Sequence, residues 1–207
     1  MKGRHRILVA STNPGKIAEI KAMLGTGIQW VGLSDFEGVA EIKEDGATFA
    51  ENARKKALGY TKATGLWTIA DDSGLVIDAL GGHPGVESAR FSGATNKDRK
   101  VVDHKNIAKV LTLLKGVPKE KRTARFVCRL CLASPEKVLV ETEGTLEGLI
   151  AEEEIGENGF GYDPIFFVPS LNKTVAQLTT EEKNAISHRG SALRKLKPIL
   201  KELLKSW

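Results

Sequence analysis

Two long extended segments, Thr123–Ala133 and Lys137–Ile150, are joined by only Ser134-Pro-Glu136, and this pair constrains the fold more than any other feature. Such runs around so short a connection read as a hairpin. Upstream, the pattern is different. Ile7–Ala10 reads as a short buried strand, Ser11–Gly15 has turn chemistry, and Ile17–Leu24 has helical periodicity. Ile28–Leu33 reads as a second strand, and a helix is expected over about 47–63. Trp67–Ala70 then reads as a strand ending at Asp71-Asp72, with Leu75–Ala79 as a separate short extended piece before the loop Gly81–Gly85.

Asn96–Lys115 reads as an amphipathic helix, with Val101, Ile107, Val110, Leu111 and Leu114 among its apolar positions. After the hairpin come a Gly-rich loop, Gly156–Asp163, and the apolar run Pro164–Val168. Thr179-Thr-Glu-Glu182 has a capping-box pattern, and Arg189–Lys205 reads as a last amphipathic helix. β-α alternation combined with a central hairpin gives an α/β fold around a mixed sheet. No repeat or linker divides the 207 residues, so one domain over 1–207 is expected.

With 41% hydrophobic and 28% charged residues, the chain is neither disordered nor collagen-like. No apolar run reaches ~18 residues, and Ile7–Ala10 is too short for a signal-peptide core, so a soluble, cytoplasmic protein with no membrane partner is expected. The net charge of +5 is spread over small clusters at Lys2–Arg6, Arg54–Lys56, Lys119–Arg125 and Arg194–Lys205. These contain few aromatics, which disfavours a nucleic-acid-binding module and suits steering of a small polyphosphate. The lone C-x-x-C, Cys128 to Cys131, lies in an expected strand, where residues three apart point to opposite faces. Neither zinc nor redox work is expected of it.

Five segments can carry chemistry. Ser11-Thr12-Asn13-Pro14-Gly15-Lys16 stands at a strand–turn–helix junction, where backbone N–H groups, the helix dipole and Lys16 suit phosphate; a capped turn is the plainer alternative. Asp71-Asp72-Ser73-Gly74 puts adjacent carboxylates at a strand terminus, fit for Mg²⁺ or for accepting a proton from water, or else forms an exposed turn. Glu44 precedes a helix whose Asn52 and Lys56 share one face, one turn apart; a solvated loop and helix surface would look the same. In Gly159-Phe160-Gly161-Tyr162-Asp163, glycines would let a planar base approach Phe160, unless Phe160 and Tyr162 are core. Lys183 and Ser187-His188-Arg189-Gly190 offer donors that could read a 6-oxo purine, or a capped helix with surface charges.

Taken in order, six motifs closely resemble the inosine/xanthosine triphosphate pyrophosphatase family: S-T-N-P-G-K, E-D-G-x-x-F-x-E-N-A, A-D-D-S-G-L, G-G-x-P-G-V-x-S-A-R-F, G-F-G-Y-D-P-I-F and S-H-R-G. The resemblance runs from about Ile7 to Leu200. It implies an elongated two-lobed fold around a central mixed sheet flanked by helices, with the substrate cleft between the lobes, and a homodimer. It implies hydrolysis of ITP, dITP and XTP to the monophosphate and pyrophosphate, cleansing the nucleotide pool. Glu44 and Asp72 would hold Mg²⁺, and Asp72 would also accept the proton. Residues 11–16, Asn52, Lys56 and Ser73 would hold the substrate; Phe160–Asp163 would wall the base, and Lys183, His188 and Arg189 would complete its pocket. Ser11 stands where many members have Thr, which keeps the hydroxyl. The rivals are a related pyrophosphatase of modified pyrimidine or methylated nucleotides, and a basic nucleic-acid binder.

Overall fold

The computed structural model describes residues 5–25, 27–96 and 98–205. The start of the basic cluster Lys2–Arg6, and Lys97 in the expected third helix, lie outside the described residues. The elements run β1 (Arg6–Val9), α1 (Pro14–Leu24), β2 (Gln29–Gly32), α2 (Phe49–Thr64), β3 (Trp67–Ile77), α3 (Arg99–Leu113), β4 (Thr123–Ala133), β5 (Val138–Ile150), β6 (Phe166–Val168), β7 (Lys173–Thr174), α4 (Thr180–Ile186) and α5 (His188–Lys205), with short 3₁₀ turns among them. The strands form one sheet in the order β2-β1-β3-β4-β5-β6-β7. β1 pairs parallel with β2 and β3, whereas β6 pairs antiparallel with β5 and β7, so the sheet is mixed as expected.

The chain forms two compact units. The first comprises Met1–Asp72, Cys128–Gly144 and His188–Trp207, the second Ser73–Val127 and Thr145–Ser187. In the first unit the strands are covered on both faces, which is why β1 reads as an uninterrupted apolar run. Ile7, Val9, Ile69, Cys128 and Leu130 pack with Ile20 and Leu24 of α1 and with Leu193, Leu196 and Leu200 of α5. Leu8, Ala10, Ala70, Cys131 and Ala133 pack on the other side with Ala53, Ala57 and Tyr60 of α2. Cys128 and Cys131 thus fall on opposite faces, as strand alternation requires. In the second unit, Leu75 and Ile77 of β3 pack with Ile107, Val110 and Leu114, and Phe126 stacks on Phe166 at 4.3 Å between ring centroids.

The expected break at Asp71-Asp72 does not occur. β3 continues through Asp71, Asp72, Ser73 and Gly74 to Ile77 as one strand of 11 residues. Turn-forming residues are held extended because each carboxylate has partners on a flanking helix, and tertiary partners override local preference. α5 starts where β5 lacks a side chain. A Cβ on Gly144 would land on the His188 carbonyl oxygen and 2.7 Å from the Ala192 nitrogen. Gly144→Ala is therefore expected to overpack this contact at a cost of about 2 kcal/mol or more, lowering Tm by about 5 °C. Thermal denaturation checks it, and an unchanged Tm would contradict the close approach of β5 and α5.

Candidate active site

In the first unit, β3 presents two acids to two different faces of the sheet, because neighbours on a strand point opposite ways. Asp71 lies on the α1 and α5 side. Its Oδ2 is 3.0 Å from Lys16 Nζ and accepts from Arg189 Nη2 at 3.0 Å and Nε at 3.2 Å. Arg189 Nη1 donates to Glu19 Oε2 at 2.5 Å. Lys56 Nζ donates to the Asp71 carbonyl at 2.6 Å and lies 3.0 Å from Glu44 Oε2. Asp72 lies on the α2 side, where Asn52 Nδ2 donates to its Oδ2 at 3.0 Å.

Their surroundings drive the two acids apart. Burial raises the Asp71 carboxyl, but Lys16, Arg189 and Lys56 outweigh it and hold the group well below the usual carboxylate range. For Asp72 burial prevails. Lys56, Lys16 and the Asn52 hydrogen bond pull down, Glu44 pushes up, and the pKa rises to about 6. A neighbouring pair split in this way marks one permanent anion and one group able to exchange a proton near neutrality.

Asn52 does two jobs. Besides holding Asp72, its Oδ1 accepts the Gly46 N–H at 2.8 Å, tying the loop that carries Glu44 to α2. A Cβ at 46 would come within 2.7 Å of that same oxygen. Glu44 and Asp72 are both hard oxygen donors, and Glu44 pushes the Asp72 carboxyl up, a repulsion that a cation would relieve. Among the described residues no group of three or more His, Cys, Asp or Glu could hold a metal. Two carboxylates with the rest supplied by phosphate and water is how Mg²⁺ is usually bound, so the residues fit it.

At the other expected phosphate contact, the junction after β1 is a capped turn. Asn13 Oδ1 accepts the N–H groups of Gly15 and Lys16, Ser11 Oγ accepts that of Asn13, and the Ser11 N–H goes to the Val9 carbonyl. The N–H groups of Ser11, Asn13, Gly15 and Lys16 are thus engaged internally, and Pro14 has none. Lys16 carries the charge here; Thr12 is exposed, and Ser11, Asn13 and Gly15 are half-buried.

In the second unit, Asp163 is the organiser. Its Oδ2 accepts the Phe160 N–H at 2.8 Å and Lys183 Nζ at 2.6 Å, and Lys183 sits 4.2 Å from the Phe160 ring centroid, a cation–π contact. Gly159, at φ +79°, has a second reason for being glycine: a Cβ there would land on the Asp163 carboxylate. Tyr162 is core, and its hydroxyl donates to the Ser88 carbonyl at 2.8 Å, so of the two aromatics only Phe160 is half-buried rather than core. Ser73, also in this unit, is half-buried on β3.

The residues expected to form the base pocket come from both units. Lys183 stands with Phe160 in the second unit, while His188 and Arg189 open α5 in the first. The Arg189 guanidinium is only 1% exposed and is held by Asp71 and Glu19 within the first unit. In the sequence nothing separates the role of Asp71 from that of Asp72, and Glu19 stands in no motif. Glu19 lies three residues after Lys16 on α1, the spacing that puts two side chains on one helical face, and this was the available signal.

Residues 7–199 match the Ham1 family. The chain belongs to the Ham1 family. A dITP/XTP pyrophosphatase of Bacillus subtilis (strain 168) is 51% identical over 194 residues, covering 93% of this chain and 96% of the relative. One from Desulforamulus reducens is 48% identical over 199 residues, with 96% of each chain covered. A HAM1 protein structure from Coxiella burnetii superposes with a TM-score of 0.84 at 43% identity, covering 96% of this chain and 99% of that one. The Ham1 relationship spans both units, and with them every candidate residue from Ser11 to Arg189.

Burying the Asp72 charge has a price in stability. With its pKa raised in the fold, the native state holds a proton that the unfolded chain has released between pH ~4 and ~6, so Asp72 lowers stability as pH rises through that window. In metal-free protein, Asp72→Asn should leave Tm unchanged near pH 4 and raise it by a few degrees at pH 7 and above. A Tm difference that does not grow across this range contradicts the environment described for Asp72.

Proposed function

We propose that this Ham1-family chain is a Mg²⁺-dependent nucleoside-triphosphate pyrophosphohydrolase acting on ITP, dITP and XTP, releasing the monophosphate and pyrophosphate. The observation that carries the reading is the split pair on β3: Asp71 is a fixed anion that holds Lys16 and Arg189, and Asp72 is the proton acceptor. Glu44 and Asp72 would hold Mg²⁺. The chemistry a bound Mg²⁺ supplies is charge neutralisation on phosphate oxygens and Lewis acidity.

The protein's own groups account for the rest. Lys16 and Lys56 offset triphosphate charge, and both are already anchored by Asp71. Asp72 takes a proton from the attacking water as oxygen bonds to the α-phosphorus; the α–β bridging bond breaks and its electrons leave with pyrophosphate. Phe160 offers a ring for base stacking, and Lys183 and His188 offer donors to a 6-oxo purine. A donor set facing a 6-amino group leaves both sides unpaired, which can discriminate by ~10⁴ or more. The names of the Bacillus and Desulforamulus relatives support this substrate class. The same reading includes a homodimer guarding the cytoplasmic nucleotide pool. No helix among the described residues is long and apolar enough to cross a membrane.

Steady-state assays with ITP, dITP, XTP, GTP and ATP test the purine assignment, with pyrophosphate as the expected product; equal rates on ATP and ITP would overturn it. Asp72→Asn is expected to lower kcat by ~10²-fold or more, and near-wild-type turnover would remove Asp72 from the reaction. Chelation should abolish activity and added Mg²⁺ restore it.

A further inference from the structure

Phe160 is fixed by its backbone, and one of the two groups that fix it lies far away in sequence. The N–H groups on either side of its Cα each go to a buried carboxylate. That of Phe160 goes to Asp163 at 2.8 Å, and that of Gly161 goes to Asp103 Oδ2, on α3, at 2.9 Å. Each carboxylate is backed by a cation, Asp163 by Lys183 and Asp103 by Arg99, whose Nε donates to Oδ1 at 3.0 Å. Hydrogen bonds to an ionised acceptor are about twice as strong as neutral ones, so the peptide carrying Phe160 is clamped from both ends.

The same face of α3 reaches further. Asn106, one turn beyond Asp103, accepts the Ser92 N–H at 2.7 Å and donates towards the Ser88 carbonyl at 3.3 Å. That carbonyl also receives the Tyr162 hydroxyl, so α3 braces the Phe160 loop both directly and through Tyr162.

We infer that Asp103 is a positioning residue for base recognition: its carboxylate presets the Phe160 ring, so substrate binding need not pay to order the loop. The inference rests on the reading that Phe160 stacks on the base. Asp103 acts through the Gly161 peptide, whose N–H it accepts.

A double-mutant cycle of Asp103→Ala and Phe160→Ala, followed by KM and kcat for ITP and by inhibition with inorganic pyrophosphate, tests it. Asp103→Ala is expected to raise KM by about 10-fold, in line with the loss of one stacked base, with kcat and the pyrophosphate inhibition constant little changed. Asp103→Asn keeps an oxygen acceptor for the Gly161 N–H and should return KM most of the way. The double variant should be no worse than Phe160→Ala alone, because both changes remove one interaction. Independent, multiplying effects, or a normal KM in Asp103→Ala while Phe160→Ala raises it, would overturn the inference. A normal KM in Phe160→Ala would instead overturn the stacking reading itself. If Asp103→Ala does not fold, Arg99→Ala, which loosens the carboxylate without removing it, should raise KM by a smaller factor; an unchanged KM there counts against the clamp.

Discussion

The ion pair between Asp71 and Arg189 is the constraint on which the first unit's chemistry depends. Both side chains are almost wholly buried, and neither charge could persist there alone. Together with Glu19 they form a buried chain of alternating sign, and it ends at Lys16, whose ammonium shares the Asp71 oxygen. The Asp71 carbonyl positions Lys56 as well. One residue on a central strand thus sets both lysines assigned to the triphosphate. Arg suits the role better than Lys, because its planar fork can engage two carboxylates at once and it stays charged when buried.

Strand alternation explains how two adjacent acids serve opposite purposes. Pointing to different faces, Asp71 meets α1 and α5 while Asp72 meets α2, and each acquires its own set of neighbours. Side by side in a turn, the two would titrate as one pair. Extended on β3, one is pinned as an anion and the other is poised near neutrality.

Much of the fold was legible where periodicity or capping spoke clearly. The hairpin strands fall at Thr123–Ala133 and Val138–Ile150, and Thr179 caps α4 through the expected reciprocal pair with Glu182. α2 begins at Phe49, close to the expected start. What escaped was whatever depended on a distant partner. Asp-Asp-Ser-Gly reads as a turn until Lys16, Arg189 and Asn52 are brought to it. Arg189 reads as an exposed donor until Glu19, 170 positions earlier, takes one arm of it. Gly159 reads as room for a ligand, whereas the neighbour that excludes its Cβ is Asp163, within the same loop. The residue types of the site were visible in the sequence, but the groups that hold them were not.

The two cysteines have a consequence for how such an enzyme ages. Burial lifts both thiols to about 12, which leaves a thiolate fraction of about 10⁻⁵ at neutral pH. The sheet also separates them, Cys128 beneath α1 and α5 and Cys131 beneath α2, so no local disulfide can form without tearing β4 out of register. Peroxide and electrophiles therefore find no ready nucleophile in this C-x-x-C. The two thiols act as small packing groups, one on each face of the sheet.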